Sequence, residues 1–139
     1  MRQFIFASHA HFAQGINESI SLLSGERSNV RTMSMYVDGN DDLAAAAHKL
    51  VDETPDEDDL VICTDLFGGS VNNEFAAIIQ ERPNTYLITN MNLPLLIQLL
   101  FVDESLPTED VIREICAADE TRVKYVNDLL GDSNLDEDF

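Results

Sequence analysis

The sequence predicts an α/β fold: a doubly wound, mainly parallel four-stranded sheet in the order 2-1-3-4, with helices on both faces. Two observations carry this expectation. Short apolar runs alternate with segments of helical periodicity along most of the chain. The runs Phe4-Ile5-Phe6-Ala7 and Leu60-Val61-Ile62-Cys63-Thr64 are continuously apolar instead of alternating, the mark of parallel strands buried on both faces. Right-handed crossovers then place helices above and below the sheet.

Taken in order, Phe4 to Ala7 reads as the first strand. Ala13, Ile16, Ile20 and Leu23 follow at spacings of three and four, one helix stripe that ends at Gly25. Val30 to Val37 alternates as a second strand, and Asp38-Gly39-Asn40 supplies turn and cap chemistry. A helix with Leu43, Ala47, Leu50 and Val51 inward leads through the acidic turn Pro55 to Asp59 into the Leu60–Thr64 strand. After Asp65-Leu66-Phe67-Gly68-Gly69-Ser70, a helix sets Val71, Phe75, Ile78 and Ile79 on one side. Thr85 to Thr89 is the fourth strand. Leu95, Leu96, Leu99 and Leu100 form a further helix that tolerates Pro94 in its first turn. Thr108 is expected to cap a last helix, with Glu109 and Asp110 at its positive end. Residues 1–130 thus read as one domain and residues 131–139 as an acidic, flexible tail.

Composition narrows the function. The 139 residues hold 26 acidic and 8 basic side chains, formally −18. Such a polyanion is repelled by nucleic acid and by anionic lipid, which need Lys and Arg to replace counterions. The charge serves solubility, or it steers in partners with basic faces; the two are compatible. The longest apolar runs, such as Leu93 to Val102, fall short of the ~20 residues that span a bilayer. The N-terminus does not read as a signal peptide, so a cytosolic, cytoplasmic location is expected. Cys63 and Cys116 lack any CxxC spacing and are expected to be small buried hydrophobes.

In an open α/β sheet, ligands bind beyond the C-terminal strand ends, near the point where strand order reverses. Two such ends carry reactive groups: Ser8-His9-Ala10-His11 after the first strand, and the Asp65 to Ser70 loop after the third. If strands one and three are neighbours, His9 and Asp65 meet in one crevice. A neutral imidazole is nucleophilic, and a carboxylate on one ring nitrogen fixes its tautomer and steadies the cation formed on reaction. Gly68-Gly69-Ser70 opens a helix, where unpaired N–H groups and the helix dipole favour an anion. Either feature alone is also met as plain structure; together they suggest phosphoryl transfer. Zinc held by His9, His11 and Asp65 is the less favoured alternative, since no further Cys or His lies at a matching strand end. The chain has neither a GxxxxGK[ST] loop for nucleotides nor a GxSxG elbow for serine chemistry. No cofactor is expected.

Three segments then carry a resemblance: Phe4 to Ala10; Asp65-Leu66-Phe67-Gly68-Gly69-Ser70-Val71-Asn72-Asn73; and Asn90-Met91-Asn92-Leu93-Pro94-Leu95-Leu96. They resemble enzyme IIA of the mannose family of the bacterial phosphoenolpyruvate:sugar phosphotransferase system, over about residues 1–125. The resemblance implies a phosphotransferase with a phosphohistidine intermediate. His9 would accept the group from the phosphorylated histidine phosphocarrier protein and pass it to enzyme IIB, with membrane IIC and IID subunits taking part indirectly. It implies that Asp65 bonds the other ring nitrogen and that Ser8, Gly68, Gly69 and Ser70 lie at the phosphoryl oxygens. It further implies a homodimer exchanging a late strand, placed at Arg122 to Val126, a stretch that reads equally as the end of the last helix. Ala10 stands where the family commonly has Gly, Phe67 where it often has Trp, and His11 is extra, expected at the crevice rim. Phe12 and Phe67 read either as an apolar docking collar or as core, and His48 as surface structure. IIB is expected as a separate protein. The alternative function is the homologous subunit that phosphorylates a dihydroxyacetone kinase.

Overall fold

The computed structural model describes residues 1–131; the acidic tail expected over 131–139 lies almost wholly outside them. Four strands, β1 (Arg2–His9), β2 (Val30–Met35), β3 (Asp59–Thr64) and β4 (Thr85–Ile88), form one parallel sheet in the order β2-β1-β3-β4. Among the described residues six helices accompany them: α1 (Phe12–Ser24), α2 (Leu43–Asp52), α3 (Ser70–Ile78), α4 (Leu93–Phe101), α5 (Thr108–Ala117) and the short α6 (Val126–Leu129). A single 3-10 turn, Asp119–Thr121, precedes α6.

The continuous apolar strands are explained by two cores, one on each face. Phe4 and Phe6 of β1 join Val61 and Cys63 of β3 in the layer covered by α1, α4 and α5. The intervening Ile5, Ala7, Leu60 and Ile62 point the other way, beneath α2 and α3. Alternate side chains of one strand leave on opposite faces, so a strand covered on both sides must be apolar at every position. Phe6, Ile62 and Phe75 are fully buried, each contributing about 1.5–3 kcal/mol by leaving water.

Register fixes the site. Ala7 of β1 lies opposite Thr64 of β3, and His9 opposite Met35 of β2. All strands run the same way, so the segments after His9, Met35 and Thr64 emerge at one edge of the sheet.

Several expectations need correcting. β2 stops at Met35, because Tyr36 takes a left-handed backbone, φ 67°. Pro107, not Thr108, is the cap residue of α5; the Thr108 hydroxyl donates to Asp59 and accepts from buried Arg2. Cys63 is buried, but Cys116 is exposed. Arg122 to Val126 is not the end of the last long helix, since α5 stops at Ala117; a strand exchanged there needs a second copy to pair with. Residues 122–125 run without a ladder partner, and Val126 opens α6. Among the described residues no helix is long and apolar enough to cross a membrane.

Candidate functional site

His9 closes β1, the strand between β2 and β3, and Asp65 directly follows β3. Adjacent parallel strands therefore deliver both groups to the same edge. One carboxylate oxygen, Asp65 Oδ2, accepts both the His9 backbone N–H at 2.9 Å and His9 Nδ1 at 2.9 Å. The other, Oδ1, accepts the Leu66 N–H at 3.0 Å. Partial burial pushes the Asp65 carboxyl up, but the backbone and ring hydrogen bonds from His9 outweigh it and hold it below the usual carboxylate range. Asp65 is thus ionised and can only accept, so Nδ1 carries the ring proton. In the neutral ring Nε2 keeps a lone pair, on a side chain 38% exposed.

That lone pair faces the start of α3. Ser70, the first helical residue, places Oγ 3.4 Å from His9 Nε2. The first amides of α3 have no intrahelical acceptor, as at any helix N-terminus, and the helix dipole adds partial positive charge. Gly68 turns the loop at φ 76°. Gly69 permits close approach: a Cβ there would lie 3.2 Å from His9 Cε1. Under the loop, Thr64 donates to buried Asn72, which anchors the first turn of α3 to the end of β3.

Ser8 departs from its expected role. It is fully buried; its hydroxyl donates to the Ala10 carbonyl at 3.1 Å and accepts the Ala13 N–H at 2.7 Å, pinning the start of α1. A strand alternates its side chains, so Ser8 turns inward where His9 turns out. Ala10 itself adopts φ 51°, the region glycine favours. His11 sits at the head of α1 with Nε2 2.7 Å from Asp38 Oδ2, both side chains exposed. His11 and Asp65 are thus engaged apart, and among the described residues no three His, Cys, Asp or Glu side chains could hold a metal ion. Phe12 and Phe67 are exposed, as is Leu66, which favours the collar reading over the core. His48 lies half-exposed, near Glu74.

One residue escaped sequence reasoning. Tyr36 follows β2 at the same sheet edge, its ring centroid 5.6 Å from that of His9 and tilted by 36°. Its hydroxyl lies 2.8 Å from Ser70 Oγ. A bulky side chain at positive φ costs roughly 1–2 kcal/mol; here the Tyr36 N–H donates to Asn40 O, and the loop closes through Asn40 N–H to Val37 O. The strand-end rule applied to β1 and β3 would have found it at β2. Among the described residues, no Lys or Arg side chain hydrogen-bonds or ion-pairs with His9, Asp65, Ser70 or Tyr36.

This geometry, a tautomer-locked imidazole facing a helix N-terminus, suits a group that takes up and releases an anion. The family model for the EIIA-man type, described as "PTS system fructose IIA component", matches residues 3–116. The chain belongs to this family. Two curated relatives agree with the assignment to the phosphotransferase-system IIA components. The fructose-specific EIIA component of Bacillus subtilis (strain 168) is 26% identical over 84% of this chain and 81% of its own. The sorbose-specific EIIA component of Klebsiella pneumoniae is 30% identical over 81% and 83%. Among solved structures, a phosphoenolpyruvate-dependent sugar phosphotransferase system permease of K. pneumoniae subsp. pneumoniae MGH 78578, described as putative, superposes with a TM-score of 0.86. It is 37% identical and covers 93% of each chain. The mannose/sorbose-specific IIA subunit of Enterococcus faecalis, 18% identical over 89% of this chain and 93% of its own, shares the fold at a TM-score of 0.78. Components of this mannose-family class are phosphotransfer proteins.

Proposed function

We propose that this IIA component carries a phosphoryl group on His9 Nε2, taken from the phosphorylated histidine phosphocarrier protein and passed to an enzyme IIB for sugar uptake. The observation that carries the reading is the shared Asp65 oxygen, which orients the ring and leaves Nε2 as the reacting atom. The Nε2 lone pair forms a new N–P bond while the donor's N–P bond breaks, and the donor ring leaves with that electron pair. Nδ1 keeps its proton throughout, so His9 becomes an imidazolium that the ionised Asp65 steadies. Ser70, with the amides that follow Gly68 and Gly69, holds the phosphoryl oxygens. Ser8, buried beneath, has no part in this. Transfer to IIB is the same displacement run outward, and it takes place in the cytoplasm.

The reading includes a homodimer. Val123, 99% exposed, and Tyr125, 65% exposed, are large hydrophobics on an unpaired segment, and β4 is an edge strand. Pairing of this segment with a second copy would cover both. The relatives named for fructose and sorbose favour sugar uptake over the dihydroxyacetone kinase role; neighbouring genes for IIB, IIC and IID proteins distinguish the two.

The test is phosphorylation with phosphoenolpyruvate, enzyme I and the histidine phosphocarrier protein. The chain should gain one acid-labile phosphoryl group, His9→Gln none, and His11→Gln should remain competent. Asp65→Asn should stay folded and slow the transfer by about 100-fold, as for loss of an orienting carboxylate partner. Uptake by His9→Gln would sink the assignment.

A further inference from the structure

The site contains a hydroxyl that the transfer chemistry above does not use. Tyr36 follows β2 in a left-handed backbone, half-exposed, with its phenol oxygen 2.8 Å from Ser70 Oγ. The directions of the hydrogen bonds follow from Asp65. Because Asp65 can only accept, Nδ1 donates to it and Nε2 is an acceptor. The atom facing Nε2 is Ser70 Oγ, at 3.4 Å, whose single hydrogen is then the available donor. With that hydrogen turned to the ring, Ser70 Oγ meets Tyr36 through a lone pair, so the phenol O–H donates. The result is one directed chain: Tyr36 to Ser70 to Nε2, and Nδ1 to Asp65.

We propose that the Tyr36 hydroxyl is a positioning group for phosphoryl transfer at His9, acting through Ser70. The inference rests on the phosphocarrier reading and adds a residue to it. Before transfer, Tyr36 holds the Ser70 proton toward Nε2 and keeps the ring from tilting. When Nε2 takes the phosphoryl group, its lone pair is used. The Ser70 O–H then swings to a phosphoryl oxygen, and the phenol holds the serine there as a donor from behind. Neutral hydroxyls in series polarise one another, which suits a site without a Lys or Arg contact.

The test uses Tyr36→Phe, which keeps the ring over His9 and removes one oxygen, alongside Ser70→Ala and the double variant. In the unphosphorylated protein, the 15N resonance of His9 Nε2 should move downfield in Tyr36→Phe as its accepted hydrogen bond loosens, with the Nδ1 resonance unmoved. Phosphoryl uptake should slow about 3- to 10-fold, the effect of one hydrogen bond on a rate. The double variant should match Ser70→Ala alone, because both substitutions break the same chain. An unshifted Nε2 resonance, or rate losses that multiply in the double variant, would overturn the proposal. The resonance measurement needs no phosphoryl donor, so it stands even if His9→Gln overturns the carrier reading.

Discussion

Ala10 adopts φ 51° immediately after His9, a backbone region that glycine enters without strain. An L side chain in the left-handed region costs roughly 1–2 kcal/mol. Ala also restricts the unfolded chain relative to Gly, which offsets about 0.4–1 kcal/mol. Ala10→Gly should therefore raise stability by about 0.5–1 kcal/mol, read as a higher urea midpoint with an unchanged slope. A lower midpoint would mean that the methyl group has a packing role outweighing its strain. Tyr36 poses the same conformational problem with a larger side chain. No rule of composition places a tyrosine at positive φ, so its position over His9 was hidden in a stretch that alternates like a strand. His9 and Asp65 were legible because both stand at the ends of unmistakable strands. Ser8 was misread for an equally simple reason: adjacent residues of a strand face opposite ways.

At the scale of elements, α3 and the loop before it set the distance between the helix N-terminus and His9 Nε2. Gly69 has ordinary backbone angles, φ −73° and ψ 165°, so what it supplies is space. A methyl group there would press on His9 Cε1 at 3.2 Å. Gly69→Ala should fold normally, yet phosphoryl uptake should fall about 10-fold, since small displacements of a reacting group are costly. A rapid-quench measurement checks this; an unchanged rate would show that the ring yields freely. The four strands and five main helices were readable from periodicity, and two unbroken apolar runs marked a parallel sheet covered on both faces; the strand order came from what such folds commonly adopt. The late segment was not. Val123 and Tyr125 alternate as in a strand, but a strand needs a neighbour, and pattern cannot say which chain supplies it. Thr108 looked like a cap, whereas tertiary bonds to Arg2 and Asp59 claimed its hydroxyl.

For the whole molecule, the acid limb of stability follows from four aspartates. Hydrogen bonds from Gln3 to Asp58, from Ser105 to Asp103 and from Lys124 to Asp119 lower those carboxyls. Asp65 is lowered too, where the bonds from His9 overcome partial burial. A folded-state value below the unfolded one, about 3.9, stabilises the fold at higher pH, and that contribution is lost as pH falls through the folded value. The melting temperature should hold steady down to about pH 4 and drop below it. Calorimetry across that range checks the limb, and a melting temperature that keeps rising below pH 4 would contradict it. The eight cations of the chain bear on a different question, since no described Lys or Arg side chain bonds to the cluster of His9, Asp65, Ser70 and Tyr36. A guanidinium fork would grip a dianion tightly and make the loaded state a thermodynamic trap. On the carrier role proposed above, neutral donors would leave the phosphoryl group only loosely favoured, able to pass in either direction with little energetic descent.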